Sequence, residues 1–322
     1  MHSVSRLTQA GVPARWPPGT ISAFGDPVRD VAWRRETVHD SPSLLIEDSA
    51  LPFAQALGRD YAPNDQFAFP YFGVFRWRVG SFERLIDANA ILRIRGGEEA
   101  FETHPVQGVG HASAILTPSP ALLDEVRALS RRAGGDVAPI VTSMDDRTRL
   151  MVHDILFNPI STILGRDEAS IDLLAVAMGT GSAAPPRPSP LVEKAKEILH
   201  DRFAEPLSLE QIARDLGVTP VYLTQIFRRQ EGLPLYRYQT RLRLSRALLL
   251  LPDCASITEL ALDLGYSSHA HFTATFSTVF GITPRAFRAS RNGGRPIDWT
   301  VALGGSPQDS RNGSDREAWP NA

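Results

Sequence analysis

"SLEQIARDLGVTPVYLTQIFRRQEG", residues 208–232, carries two helical periods separated by a glycine. In its first part Leu209, Ile212, Ala213 and Leu216 recur at i, i+3, i+4 and i+7, which places them on one helix face. Gly217 is suited to a positive φ and ends that helix. Thr219 then serves as an N-cap and Pro220 as the first residue of a second helix. The second helix buries Leu223, Ile226 and Phe227 and turns Val221, Thr224, Gln225 and Arg228 outward, with Arg229 alongside. A helix, a tight turn and a helix with a polar outer face make a helix-turn-helix unit, whose second helix enters the major groove of DNA.

Working outward, the unit is repeated. SITELALDLG (256–265) aligns with SLEQIARDLG (208–217) at an offset of 48 residues, and after one inserted residue Phe272, Phe276 and Gly281 meet Leu223, Phe227 and Gly232 at an offset of 49. The second copy buries Phe272, Phe276 and Val279. Its outer face is Ala270, Thr273, Ala274 and Ser277, flanked by His269 and His271, with Ser267 and Ser268 able to cap. No Lys or Arg occurs from Ala247 to Pro284, so this helix has no cation with which to grip a polyanion. The segment between the copies, residues 233–251, reads as one long helix. From Arg228 to Arg246 six arginines (228, 229, 237, 241, 243 and 246) accompany one acid, Glu231. That segment is the expected phosphate-binding patch, which positions a protein on DNA without specifying sequence. Arg285 and Arg288 supply charge beyond the second copy.

The remainder of the chain bounds the reading. Its 322 residues suffice for two domains, and 43% hydrophobic with 22% charged residues fits a globular protein. The formal net charge of −2 confines any nucleic-acid-binding face to a local patch. One cysteine, Cys254, leaves no intramolecular disulfide or multi-cysteine metal site and suits a reducing cytoplasm. The N-terminus lacks a signal-peptide core and no apolar stretch is long enough to span a bilayer, so a cytoplasmic protein without membrane contact is expected. Residues 1–26 read as a disordered lead-in and 27–178 as a β-rich domain with C-terminal helices. Residues 179–190 read as a Pro/Gly linker, 191–291 as the twin-unit domain and 292–322 as a disordered tail. Strand texture runs from about Arg34 to Leu116, and helical texture occupies 121–132, 145–161 and 166–178.

Residues Leu191–Arg288 closely resemble the DNA-binding domain of AraC/XylS-type bacterial transcription regulators. The resemblance is carried by the spacing of the twin units, the Gly-Tyr turn at 265–266, the Phe272/Phe276 pair and the closing FGITPRAFR (280–288). It implies seven helices, two recognition helices in successive major grooves of promoter DNA, and control through contact with RNA polymerase. By position it implies base reading by Val221, Thr224 and Gln225 in the first unit and by His269, Ala270, Thr273 and Ala274 in the second. The chain departs from the family at Ala274 and Ser277, where a basic residue is common. Backbone contacts are expected from Arg228, Arg229, Arg237, Arg241 and Arg285. The N-terminal half more loosely resembles the cupin-like sensor domains of such regulators, through FGVFRWRVG (72–80), DANAILRIRGGEEAFETHP (87–105) and ILTPSPALL (115–123).

The expected architecture is therefore α+β: a cupin-like β-barrel or jelly roll with following helices, then an all-α domain of two helix-turn-helix units joined by a long helix. Arg93 and Arg95, alternating on a strand, are candidate carboxylate binders for a small-molecule effector if their face is the lumen, and otherwise a solvent-facing pair. Residues 145–163 offer Leu150, Ile155, Leu156 and Ile160 either to a homodimer or to the barrel's own cover. His104 and His111 with Glu98 lack the paired His-x-His of a metal-binding cupin, so no metal, cofactor or catalytic residue is assigned. Two rival readings are a cupin-type enzyme with an appended DNA domain and a ligand-independent regulator whose barrel only dimerises.

Overall fold

Fourteen residues from Gln66 to Val79 form a single strand long enough to serve two sheets. The structure is a computed structural model that describes residues 34–51, 58–106, 109–132, 140–157, 163–179 and 189–290. Its strands are β1 (Arg34–Asp40), β2 (Leu44–Leu51), β3 (Gly58–Tyr61), β4 (Gln66–Val79), β5 (Phe82–Asp87), β6 (Ala90–Ile94), β7 (Glu99–Thr103), β8 (His111–Pro118) and β9 (Val141–Ser143). The first half of β4 pairs with β6 and β8, and the second half with β5 and β7, all antiparallel. The change of sheet follows a register shift between Pro70 and Phe72, where proline has no N–H to give the ladder. The hydrogen-bonded order β1-β2-β8-β4-β6-β9 leaves β1 and β9 as ends. The expected α+β architecture, a β-domain followed by helices, is present, and among the described residues its sheet is open, because β1 and β9 pair on one side only.

Side-chain alternation along β4 explains why it is buried on both faces. Phe67, Phe69 and Tyr71 face a layer formed by α1 (Pro120–Arg132), α2 (Asp146–Phe157) and α3 (Ile163–Gly179), packing with Leu123, Val152, Ile155 and Leu173. Ala68, Phe75 and Trp77 face the opposite way, toward Ile86, Leu92, Ala100 and Ile115 between the two arms of the sheet. Of the apolar residues considered for a dimer helix, Ile155 and Leu156 are buried in the helical layer and Leu150 packs on the C-terminal domain. Ile160 lies outside the described residues, as do the 1–26 lead-in, residues 180–188 of the linker and the 292–322 tail.

Seven helices follow: α4 (Pro190–Asp201), α5 (Leu209–Asp215), α6 (Pro220–Glu231), α7 (Leu235–Leu250), α8 (Ile257–Asp263), α9 (His269–Phe280) and α10 (Pro284–Ser290). The sequence repeat is exact at the level of elements, since α5 and α8 share one offset and α6 and α9 the next. Each unit has its own core. The first gathers Leu199, Ile212, Leu223, Phe227 and Tyr238. The second gathers Leu260, Leu264, Phe272, Phe276, Phe280 and Phe287. Helix α7 is common to both, giving Tyr238 and Leu242 to the first and Leu244, Ala247 and Leu248 to the second.

The equivalent turn glycines differ in what surrounds them. Gly217 has φ 68° with open space where a Cβ would go, whereas at Gly265, φ 80°, a Cβ would lie 2.0 Å from the Ala204 carbonyl oxygen. Gly217→Ala is expected to cost about 1–2 kcal/mol, the left-handed strain alone. Gly265→Ala adds a backbone overlap and is expected to cost about 3–5 kcal/mol. Urea unfolding of the two variants checks the difference, and equal losses would contradict this placement of the second turn against residue 204.

Candidate nucleic-acid interface

The first unit is held at each junction by side chains the sequence placed there. Ser208 and Gln211 form a reciprocal capping box at the start of α5. Thr219 Oγ1 accepts from the Tyr222 N–H at 3.3 Å and starts α6, and Gly232 ends it with φ 73°. Burial of Leu223, Ile226 and Phe227 then fixes which face α6 presents. Val221 is 67% exposed, Gln225 and Arg228 are exposed, and Thr224 is half-buried with its hydroxyl donating to the Pro220 carbonyl at 2.9 Å. Tyr222, 51% exposed, joins this surface and was not singled out in the sequence. Its signal is an aromatic residue off the core face.

In the second unit Ser268 caps α9 by accepting from the His271 N–H at 3.1 Å, and Ser267 Oγ lies 3.1 Å from His271 Nδ1. His269, Ala270 and Ala274 are exposed and Thr273 is half-buried, so the four candidate readers share one outer surface. Arg285 is exposed on α10, while Arg288 is turned inward to donate to the Cys254 carbonyl at 3.2 Å.

The six arginines do not form one patch. Arg228, Arg229 and Arg237 are exposed. Arg241 Nε lies 3.5 Å from Asp146 of α2. Arg243 donates to the carbonyls of Phe203, Glu205 and Gly265, tying the two units together. Arg246 stacks over the Phe203 ring at 3.7 Å and the Phe72 ring at 5.5 Å, and burial lowers its pKa to about 10. Basic residues on a helix signal charge but not direction, and these three turn toward the protein.

The direction is set by a buried polar contact between the helical domain and the sheet. Glu193, Lys196 and His200 lie at i, i+3 and i+7 on α4 and are all buried. Glu193 Oε2 accepts from the Leu85 N–H at 2.8 Å, and Lys196 Nζ donates to the Leu85 carbonyl at 3.0 Å. Two side chains thereby satisfy the backbone of β5 on the edge where, among the described residues, no further strand pairs. His200 Nε2 and the Tyr238 hydroxyl both reach Asp87 Oδ2. Burial alone would raise the Asp87 pKa, but the charge of Lys196 and the hydrogen bond from His200 bring it down to about 2. Burial lowers the pKa of His200, the Asp87 bond notwithstanding. Around this centre Arg84 pairs with Glu231 at the end of α6, and Arg76 pairs with Glu197. The α4 spacing was present in the sequence; that the charged face points inward was not.

In the sheet domain, the strand alternation of Arg93 and Arg95 does not produce a paired carboxylate clamp. Arg93 is buried and donates to Asp65 at 2.8 Å, and Arg95 is 44% exposed beside Glu98. A small cavity between the arms is lined instead by Arg35, Ser49, Asp60, Trp77, Glu102 and His111, among others. His104 and His111 do come together, with Glu102 rather than Glu98. Burial, then the charge of Asp60, pushes Glu102 well above the usual carboxylate range; burial, then His104, holds His111 well below the histidine range.

Comparison with known proteins places the chain among relatives through this C-terminal domain. A family model described as "Helix-turn-helix domain" matches residues 212–290. The HTH-type transcriptional regulator ArgR of Pseudomonas aeruginosa is 32% identical over 112 residues, 34% of each chain. The HTH-type transcriptional activator RhaS of Escherichia coli is 34% identical over 96 residues, 30% of this chain and 34% of that one. The regulatory protein PocR of Salmonella typhimurium is 26% identical over 175 residues, 54% of this chain and 55% of that one. The chain thus spans about a third to about half of the length of these curated relatives.

Proposed function

We propose that residues 191–291 form a twin helix-turn-helix domain of the AraC/XylS type, a reading supported by the helix-turn-helix family model over residues 212–290 and by the regulators that align there, and that the chain is a sequence-specific regulator of transcription acting on double-stranded promoter DNA. One observation carries the reading: α6 and α9 occupy equivalent places in two repeated units, each anchored by its apolar face and each presenting an exposed outer face. Val221, Thr224 and Gln225 read base edges, where Gln pairs with adenine and Val meets a thymine methyl. His269, Ala270, Thr273 and Ala274 make close, uncharged contacts in the neighbouring groove. Arg228, Arg229, Arg237 and Arg285 supply phosphate contacts, while Arg241, held at Asp146, contributes only on leaving that partner. RNA polymerase is the further partner, and the protein works in the bacterial cytoplasm, on the nucleoid.

The sheet domain acts as sensor. A small-molecule effector bound by the sheet domain shifts the balance between arrangements of β5 and α4, and so the posture of α6, whose last residue is tied to Arg84. The names of the relatives, all regulators, favour this over an enzyme with an appended DNA domain.

Two classes of substitution test the interface. Arg228→Ala with Arg229→Ala is expected to weaken binding to all duplexes alike and to lower the salt slope by about two units, whereas Gln225→Ala relaxes preference at one base pair by about 1–3 kcal/mol. Fluorescence anisotropy on matched and altered duplexes at several salt concentrations reads both. Arginine variants that change sequence preference while keeping the salt slope would overturn the assignment.

A further inference from the structure

His111, the first residue of β8, comes within reach of Glu102 on β7 and of His104 just beyond it. Three potential ligand atoms form a small triangle. His104 Nε2 and His111 Nδ1 are 3.0 Å apart, Glu102 Oε1 is 3.3 Å from His111 Nδ1, and it is 3.7 Å from His104 Nε2. All three side chains are at least 95% buried. Metal–nitrogen and metal–oxygen bonds of about 2.0–2.2 Å at the tetrahedral angle separate neighbouring ligand atoms by about 3.3–3.6 Å, so the observed edges bracket a first-row tetrahedral site. Glu102 Oε1 accepts no hydrogen bond among the described residues, although it is buried. A buried carboxylate oxygen without a donor is costly, and a cation answers it directly. Phe75 lies 4.1 Å from the His111 ring, centroid to centroid, and packs one side of the cluster.

The surroundings leave a place for a fourth ligand. Glu102 and His111 line the cavity between the arms with Ser49, Trp77 and Ser113, whose Oγ, Nε1 and Oγ atoms also have no hydrogen-bond partner among the described residues. Two imidazoles and one carboxylate suit zinc and its neighbours, whereas calcium and magnesium take six or more oxygen-rich positions.

We propose that Glu102, His104 and His111 form a binding site for one divalent transition-metal ion of the zinc type, with its remaining coordination position facing the cavity between the arms of the sheet. The site is independent of the DNA-binding reading and stands or falls without it.

The test uses the full chain, stripped with chelator and titrated with zinc ion by calorimetry and elemental analysis. The wild type is expected to take up one zinc that raises its melting temperature. Glu102→Gln and His104→Gln, with circular dichroism reporting that they fold, are expected to bind that zinc at least about tenfold more weakly. Should either variant fail to fold, X-ray absorption of the zinc-loaded wild type decides, since the site requires two imidazole ligands. Absence of zinc uptake by the wild type, uptake unchanged in folded variants, or a spectrum with fewer than two imidazoles would each overturn the proposal.

Discussion

Lys196→Met is expected to destabilise the chain by about 3–5 kcal/mol, the loss seen when one partner of a buried charged group is removed. Lys196 is 2% exposed, donates to the Leu85 carbonyl at 3.0 Å and lies 3.7 Å from Glu231. Its charge also lowers the pKa of Asp87, and it opposes the burial that raises Glu193. Methionine fills much of the same space, so packing is nearly kept and the effect reports on charge. Three carboxylates are then left at one buried contact with less cationic compensation. Adding Glu193→Gln to Lys196→Met is expected to recover part of the loss, because the amide oxygen still accepts from the Leu85 N–H and one charge is gone. Urea unfolding of the four corners of that cycle measures the coupling. A loss below about 1 kcal/mol for Lys196→Met would mean that its charge is not structural at this contact.

Phe276→Ala carries the second large effect, again about 3–5 kcal/mol. Phe276 is fully buried and makes edge contacts with Phe272, Phe280 and Phe287, which places it at the centre of the second unit's aromatic core. Its counterpart Phe227 lies in a separate core with Tyr238. The loss should therefore fall on the second unit, loosening α9 and α10 before α6. On DNA the variant is expected to keep the first unit's contacts and lose those of the second. A variant that unfolds in one step together with the first unit would show that α7, which runs through both cores, makes them a single cooperative block.

These expectations rest on parts of the chain that were unequally legible. The repeat from Ser208 to Gly281 could be read residue by residue, because helical periodicity, caps and positive-φ glycines are local signals. The long helix between the units was legible as an element, but its arginines were not legible as a surface: direction depends on Asp146, Phe203 and Phe72, which lie far away in sequence. Strand pairing was unreadable for the same reason, since β2 pairs with β8 across the whole stretch between Leu51 and His111. The histidine cluster shows a missed local signal. Glu102 and His104 are two residues apart on an extended segment and so share a face, whereas Glu98 belongs to the exposed turn before β7.

The most direct test of the account is a DNase footprint of the purified full chain on DNA upstream of its own gene, at two salt concentrations. Two protected major grooves per protomer, about 10 bp apart and weakening with salt, are the predicted result. They would place both α6 and α9 in DNA, the second without a lysine or arginine of its own. Protection of a single groove per protomer would contradict the account and leave the second unit as a packing brace beside the first.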